Sequence, residues 1–235
     1  MQSSIVMKIG GSLLYDDNLQ INRKFLLLLA NWYTEAKKQY KNIVLVIGGG
    51  KISRHITNQL AQITPSVESM HSVGMEATRL NAEIVKAFLA DKDIFVPLSL
   101  GDAIEQIISN ESSIIVSGGH KAGWSTDMDA AVFADILHVE TIYKISGVDA
   151  IYTSDPAKDP TATPISDLTW QQYMVNFGIV PGVTKHAPGF STPIGAFATQ
   201  FCSQKGISVR FSGSNDWSSM QSIDEILAKG TFVHP

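Results

Sequence analysis

Short runs of apolar and β-branched residues recur along this chain, and glycine closes three of them. Ile5-Val6-Met7-Lys8-Ile9 runs into Gly10-Gly11-Ser12, and Ile43-Val44-Leu45-Val46-Ile47 runs into Gly48-Gly49-Gly50-Lys51. Ile114-Ile115-Val116 precedes Gly118-Gly119-His120-Lys121-Ala122-Gly123. Unbroken runs of this length read as strands buried on both faces, as in a parallel sheet. Between them the apolar spacing becomes helical. The pattern predicts strand 5–9, then helix 19–40 with its stripe at Phe25, Leu28, Leu29 and Trp32. Strand 43–47, helices 51–63 and 67–89, strand 94–97, helix 102–108 and strand 113–117 follow, then helix 126–137 and strand 141–145. This alternation predicts an α/β fold, a mainly parallel sheet with helices on both faces.

Beyond residue 150 the texture changes. Residues 150–164 hold Pro156, Pro160 and Pro164 without an apolar period, and read as loop. A helix over 167–175 and a second loop over 178–192 come next. The chain closes with helix 194–203, strand 207–211, helix 220–228 and strand 231–233. No repeat or interdomain linker interrupts the 235 residues, so one domain with two lobes is expected.

Composition narrows the function classes. Apolar residues make up 44% of the chain, enough for a substantial core. A net charge of −4 and a pI near 5.8 point away from nucleic-acid and acidic-membrane partners. The longest apolar run, Phe25 to Ala30, is too short to span a bilayer, and no secretory leader is read before the first strand. Cys202 is the only cysteine, so no internal disulfide forms, which fits a reducing, cytoplasmic setting. It lies in an expected helix and reads as core rather than nucleophile.

Glycine at the C-terminal end of a strand lets a ligand approach the backbone and turns N–H groups toward an anion. Three such turns on one sheet edge predict a site for several phosphates, and hence phosphoryl transfer. Two common phosphate motifs are absent. The P-loop pattern fails because Gly50-Lys51 is followed by Ile52 and position 45 is leucine. The dinucleotide fingerprint fails because Gly48-x-Gly50 is followed at the third place by Ser53.

Individual side chains sharpen the picture. Lys8 sits inside an apolar strand just before a glycine pair, where burial without an anion is costly. It is the leading candidate to contact the transferring phosphoryl group. Arg54, one turn after Gly50, offers a fork for a phosphate that a helix N-terminus also attracts. Arg79 lies mid-helix, where a structural ion pair and a ligand contact are equal alternatives. Ser125-Thr126-Asp127 opens a helix after the third turn. These residue types favour N-caps, and also suit hydroxyls holding phosphate and a carboxylate that orients Lys8 or a magnesium ion. His120, within a glycine turn, is a candidate ligand contact. The six histidines show no metal-ligand spacing.

The ordered motifs carry a resemblance. Lys8-Ile-Gly-Gly-Ser12, Val46-Ile-Gly-Gly-Gly-Lys-x-x-Arg54, Gly74-Met-Glu-Ala-Thr-Arg-Leu-Asn-Ala82 and Gly118-Gly-x-x-x-Gly-x-Ser-Thr-Asp127 are followed by Val148-Asp-Ala-Ile-Tyr-x-x-Asp-Pro156 and a terminal Gly230-Thr231. This set, running from about residue 5 to 233, resembles the amino-acid kinase superfamily, and within it the uridylate (UMP) kinases. The segment 74–82 is similar to the archaeal type, and Asp155 to Thr163 to the bacterial one. The resemblance implies a three-layer αβα sandwich binding ATP and UMP end to end, with Mg2+ as cofactor. It places Lys8, Gly10, Gly11 and Ser12 at the ATP phosphates, Gly49, Gly50 and Arg54 between the nucleotides, and His120, Gly123, Ser125 and Thr126 around UMP. Ser146, Gly147, Tyr152 and Asp155 fall at the adenosine pocket, with Lys8 and Asp127 catalytic. It also implies an acceptor-side lobe over about 1–140, an ATP-side lobe over about 141–235, and a homo-oligomer, a hexamer.

Three positions depart from that pattern. His71 stands where the family has an acid that holds the acceptor ribose, Thr192-Pro193 replaces an aspartate at the start of a late helix, and Ala150 replaces a glycine. The readings left open are a UMP kinase, a kinase of another small phosphate or carboxylate acceptor, and a non-catalytic nucleotide-binding or storage-type relative.

Overall fold

The structure, a computed structural model, describes residues 2–63, 66–183, 192–213 and 222–235. Strand β1 (Gln2–Ile9) enters a 3₁₀ turn, Gly11–Leu14, and then helix α1 (Arg23–Gln39). Strand β2 (Tyr40–Ile47) leads to α2 (Gly50–Leu60) and α3 (Val67–Leu89). Next come β3 (Ile94–Phe95), α4 (Leu100–Ser109), β4 (Ser113–Ser117), α5 (Thr126–Ile136) and β5 (Thr141–Ser146). Short strands β6 (Ile151–Tyr152), β7 (Pro164–Ile165) and β8 (Asp167–Thr169) precede α6 (Trp170–Asn176). Helix α7 (Ala196–Lys205), β9 (Ser208–Gly213), α8 (Ile223–Leu227) and β10 (Thr231–His234) complete the chain.

Among the described residues eight strands form one sheet in the order β3-β4-β2-β1-β5-β9-β10-β8, and within it only the β9–β10 pair is antiparallel. Side chains alternate across it. Val6, Val44 and Val46 pack with Ala130, Phe133 and Cys202 under α5 and α7. Ile5, Met7, Ile9 and Leu45 pack on the opposite face with Phe25, Leu29 and Trp32 of α1, Val85 of α3 and Ile226 of α8. Helices thus cover both faces, as the three-layer expectation required. Because β1, β2, β4 and β5 run parallel, the turns after Ile9, Ile47, Ser117 and Ser146 all emerge at one edge.

Most predicted elements are present, with shifts that have local causes. Helix α1 starts at Arg23 rather than near 19, because Leu19 adopts a left-handed φ of 60° and the Asn22 side chain accepts from the Phe25 N–H. The expected loop over 150–164 carries a small hairpin, β6 with β7. Asp167–Thr169, expected in a helix, is an edge strand parallel to β10. Thr169 then caps α6 in a reciprocal box with Gln172. These pieces are two or three residues long and depend on distant partners, so no local period reveals them. Parts of the expected loop 178–192 and helix 220–228 lie outside the described residues, at 184–191 and 220–221.

Candidate active site

The first two glycine turns touch each other through their backbones. A Cβ on Gly11 would lie 1.9 Å from the Gly48 carbonyl oxygen. Gly50 has a φ of +61°, and a Cβ there would lie 2.1 Å from the carbonyl carbon of Gly11. No side chain fits either place. Asn81, fully buried on α3, braces this contact by donating to the carbonyls of Gly48 at 2.8 Å and Gly49 at 3.1 Å. Tyr15 donates to the Asn81 side-chain oxygen at 2.7 Å. Asn81 went unassigned in the sequence reading, although a polar residue on an apolar helix face was its signal.

Beneath these turns lies a buried charge centre. Period-two alternation puts Lys8 on the same sheet face as Val6, and Lys144 on the same face as Ile142. In the β1–β5 register Lys8 and Lys144 are direct neighbours. Two ammonium groups one strand apart require an anion, and α5 supplies it from its first turn. Lys144 Nζ donates to both Asp127 carboxylate oxygens, at 2.6 and 2.7 Å, and to the Pro193 carbonyl at 2.5 Å. Lys8 Nζ lies 3.6 Å from the same carboxylate, which also accepts the Gly195 N–H at 2.9 Å. Side-chain exposures are only 12% for Lys8, 11% for Asp127 and 9% for Lys144.

This geometry sets the protonation of the centre. Burial would raise the Asp127 carboxyl, but the charges of Lys144 and Lys8, the Lys144 hydrogen bond and the Gly195 N–H outweigh it and hold it at about 2. Burial and the charge of Lys8 push the Lys144 ammonium down to about 8, against the pull of Asp127. One carboxylate is shared by two cations, so the anion gains from both while the cations compete. Asp127 thus contacts both lysines, and among the described residues no cluster of three His, Cys, Asp or Glu could hold a metal ion. At the Thr192-Pro193 departure the backbone takes over, with the Pro193 carbonyl and Gly195 N–H closing the centre. Cys202 is buried nearby, its thiol pushed up to about 12 by burial and by the Asp127 charge, which suits a core residue.

Two cavities meet above this centre. One, of about 640 Å³, is lined by Lys8, Gly10, Gly11, Ser12, Lys144 and Ser146, and reaches Tyr152 and Asp155. Gly147, adjoining Ser146, would bring a Cβ within 3.9 Å of the Ser12 hydroxyl. The other, of about 680 Å³, is lined by Ser53, His71, Met75, Gly119, Gly123 and Ser125 among others. Gly49, Gly50, Arg54 and Thr126 line both. Helix starts without a side-chain cap face this junction: Gly49 before α2 and Ser125 before α5 make no side-chain cap bond, and both residues line the second cavity. No carboxylate lines the second cavity among the described residues; its titratable side chains there are Arg54 and His71.

One expected contact is arranged differently, and Arg79 takes the structural ion pair of its two alternatives. The His120 imidazole is turned away from both cavities into the protein, 3% exposed, against Asp129. Arg79 donates to Glu76 at 2.9 Å and to the carbonyls of Leu98 and Gly119, at 2.9 and 3.3 Å, so it braces the third turn. Lys144 was missed because Thr141-Ile-Tyr-Lys-Ile-Ser146 alternates, and an alternating lysine reads as solvent-facing.

An α/β sandwich with glycine turns converging on a buried Lys-Asp-Lys centre defines a phosphate-handling class of protein. Its family follows from comparison. The chain belongs to the amino acid kinase family, whose sequence model matches residues 3–223. It is 30% identical over 232 residues to the uridylate kinase of Thermococcus onnurineus, covering 98% of this chain and 99% of the relative. Among solved structures, the uridylate kinase of Archaeoglobus fulgidus superposes with a TM-score of 0.73 at 21% identity, covering 99% of this chain and all of that one. The UMP kinase of Ureaplasma parvum superposes with a TM-score of 0.74 at 22% identity, over the full length of both. These likenesses at low identity establish the shared fold.

Proposed function

We propose that the protein is an ATP-dependent nucleoside monophosphate kinase that converts UMP and ATP to UDP and ADP. The observation that carries this reading is the Lys8–Asp127–Lys144 centre beneath the junction of two cavities, each of a size suited to a nucleotide. ATP occupies the cavity that reaches Tyr152 and Asp155, with its phosphates over Gly10 to Ser12. The acceptor occupies the other, whose lining residues all fall between 49 and 126. This supports the reading of residues up to about 140 as the acceptor side.

Transfer proceeds by attack of an acceptor phosphate oxygen on the γ-phosphorus. A new P–O bond forms as the bond to the bridging β–γ oxygen breaks, and ADP leaves. Little covalent chemistry falls to the protein, so positioning and charge neutralisation supply the catalysis. Lys8 and Lys144 neutralise the γ-phosphoryl group and the leaving oxygen, Asp127 holds both ammonium groups in place, and Arg54 binds phosphate at the junction. Magnesium bound with the nucleotide would supply further charge neutralisation to the phosphates held over Gly10 to Ser12. The likeness to uridylate kinases over nearly the whole chain supports UMP as acceptor. The absence of a carboxylate in the described lining favours a second reading, another small phosphorylated acceptor.

A coupled ADP-release assay over nucleoside monophosphates and small phosphorylated acceptors tests this. The expected result is UMP-dependent ADP release with the highest kcat/KM in the panel. Higher kcat/KM on another acceptor moves the assignment to that compound, and no acceptor-dependent release would sink the kinase reading.

A further inference from the structure

The third glycine turn is held by a pair of side chains that do not touch either cavity. His120 Nδ1 and the His120 backbone N–H both lie 3.2 Å from Asp129 Oδ1. His120 Nε2 lies 3.3 Å from the Ser117 hydroxyl, and the ring meets Phe133 edge-on at 5.9 Å. Side-chain exposures are 3% for His120 and 2% for Asp129.

Ser117 Oγ also donates to the Gly118 carbonyl at 2.9 Å, so the imidazole bridges Ser117 on one side and Asp129 on the other through its two nitrogens. Asp129 Oδ2 is buried without a partner among the described residues, which is a costly arrangement to maintain.

We propose that the His120–Asp129 pair positions the acceptor-phosphate turn. This rests on the reading of the second cavity as the acceptor site. Asp129 lies on the first turn of α5, beside Thr126 and Asp127, so the pair ties the turn to the helix that bears the charge centre. From the other side, Thr78 Oγ1 accepts the Gly119 N–H at 2.6 Å and Arg79 donates to the Gly119 carbonyl. The turn is clamped between α3 and α5, with Gly119 and Gly123 left facing the acceptor.

The test measures the acceptor and ATP KM of His120→Gln, Asp129→Asn and the double variant against wild type. Each single variant should raise the acceptor KM by about tenfold while the ATP KM moves by less than about twofold, and the double variant, a neutral complementary pair, should recover part of the loss. Unchanged acceptor KM in an active enzyme, or equal rises in both KM values, would overturn the inference. Should Asp129→Asn fail to fold, the KM split of His120→Gln decides alone. If wild type phosphorylates nothing, the acceptor-site reading falls and this inference with it. If wild type is active and the variants keep its acceptor KM, only the inference falls.

Discussion

A lysine buried without a counter-ion costs several kcal/mol, and Lys8 and Lys144 stand side by side on neighbouring strands. Asp127 is what makes that tolerable. Removing it should destabilise the protein by about 3–5 kcal/mol, because two cations then lose their only close anion among the described residues. Asp127→Asn in chemical denaturation should show this loss, and Asp127→Asn with Lys144→Met should regain much of the stability while staying inactive. Equal stability of Asp127→Asn and wild type would contradict the shared-anion account. The lowering of Asp127 from 3.8 to about 2 corresponds to about 2 kcal/mol. That stability is complete above 3.8 and is lost as the pH falls through about 2. Lys144 acts oppositely: its folded value lies below its unfolded one, so it opposes folding below about 8, and the opposition fades as the pH rises toward 10.5. In the proposed mechanism its charge also serves phosphate binding. We expect kcat/KM for ATP to fall above a pH of about 8 in wild type, and Lys144→Arg to shift that fall upward. An alkaline limb unchanged in Lys144→Arg would assign it to another group.

At the scale of elements, the glycine turns impose the strictest demands. Gly11→Ala would drive a methyl to 1.9 Å from the Gly48 carbonyl, so the two turns must part. The expected cost is about 1–3 kcal/mol together with weakened ATP binding, read by thermal melts and calorimetric titration. Gly101→Ala is the control, since its Cβ would meet only the Ser99 hydroxyl at an ordinary 3.5 Å, and it should be neutral or stabilising by up to about 1 kcal/mol. Indifference of both stability and ATP affinity to Gly11→Ala would refute the close approach. Legibility follows the same local logic. Helix α3 runs from Val67 to Leu89 as its apolar period predicts, because Ser66 caps its start and Ala90 turns left-handed at its end. Strand β8 was not legible, since three residues pair only with the distant β10. Within the site, Lys8 was legible as a charge inside an apolar strand, and Asp127 as an acid at a helix start. Lys144 was not, because alternation mimics an exposed strand. Nor was the inward turn of His120, whose partner Asp129 lies nine residues on, across a loop.

For the whole molecule, the parallel order of β2, β1 and β5 brings the separate turns to one edge, and α5 brings an anion beneath them. Neither cavity is a closed unit, since Gly49, Gly50, Arg54 and Thr126 belong to both. No described helix is long and apolar enough to cross a membrane. The central claim is that this junction transfers a phosphoryl group from ATP to UMP over the Lys8–Asp127–Lys144 centre. The most direct measurement is ³¹P NMR of ATP and UMP incubated with wild type and with Lys8→Ala, whose fold is checked by circular dichroism. Wild type should form UDP and ADP in equal amounts, and Lys8→Ala should be slower by a few hundredfold or more, the loss of about 3–4 kcal/mol of transition-state stabilisation. No UDP from wild type, or UDP formed at the same rate by folded Lys8→Ala, would contradict the account.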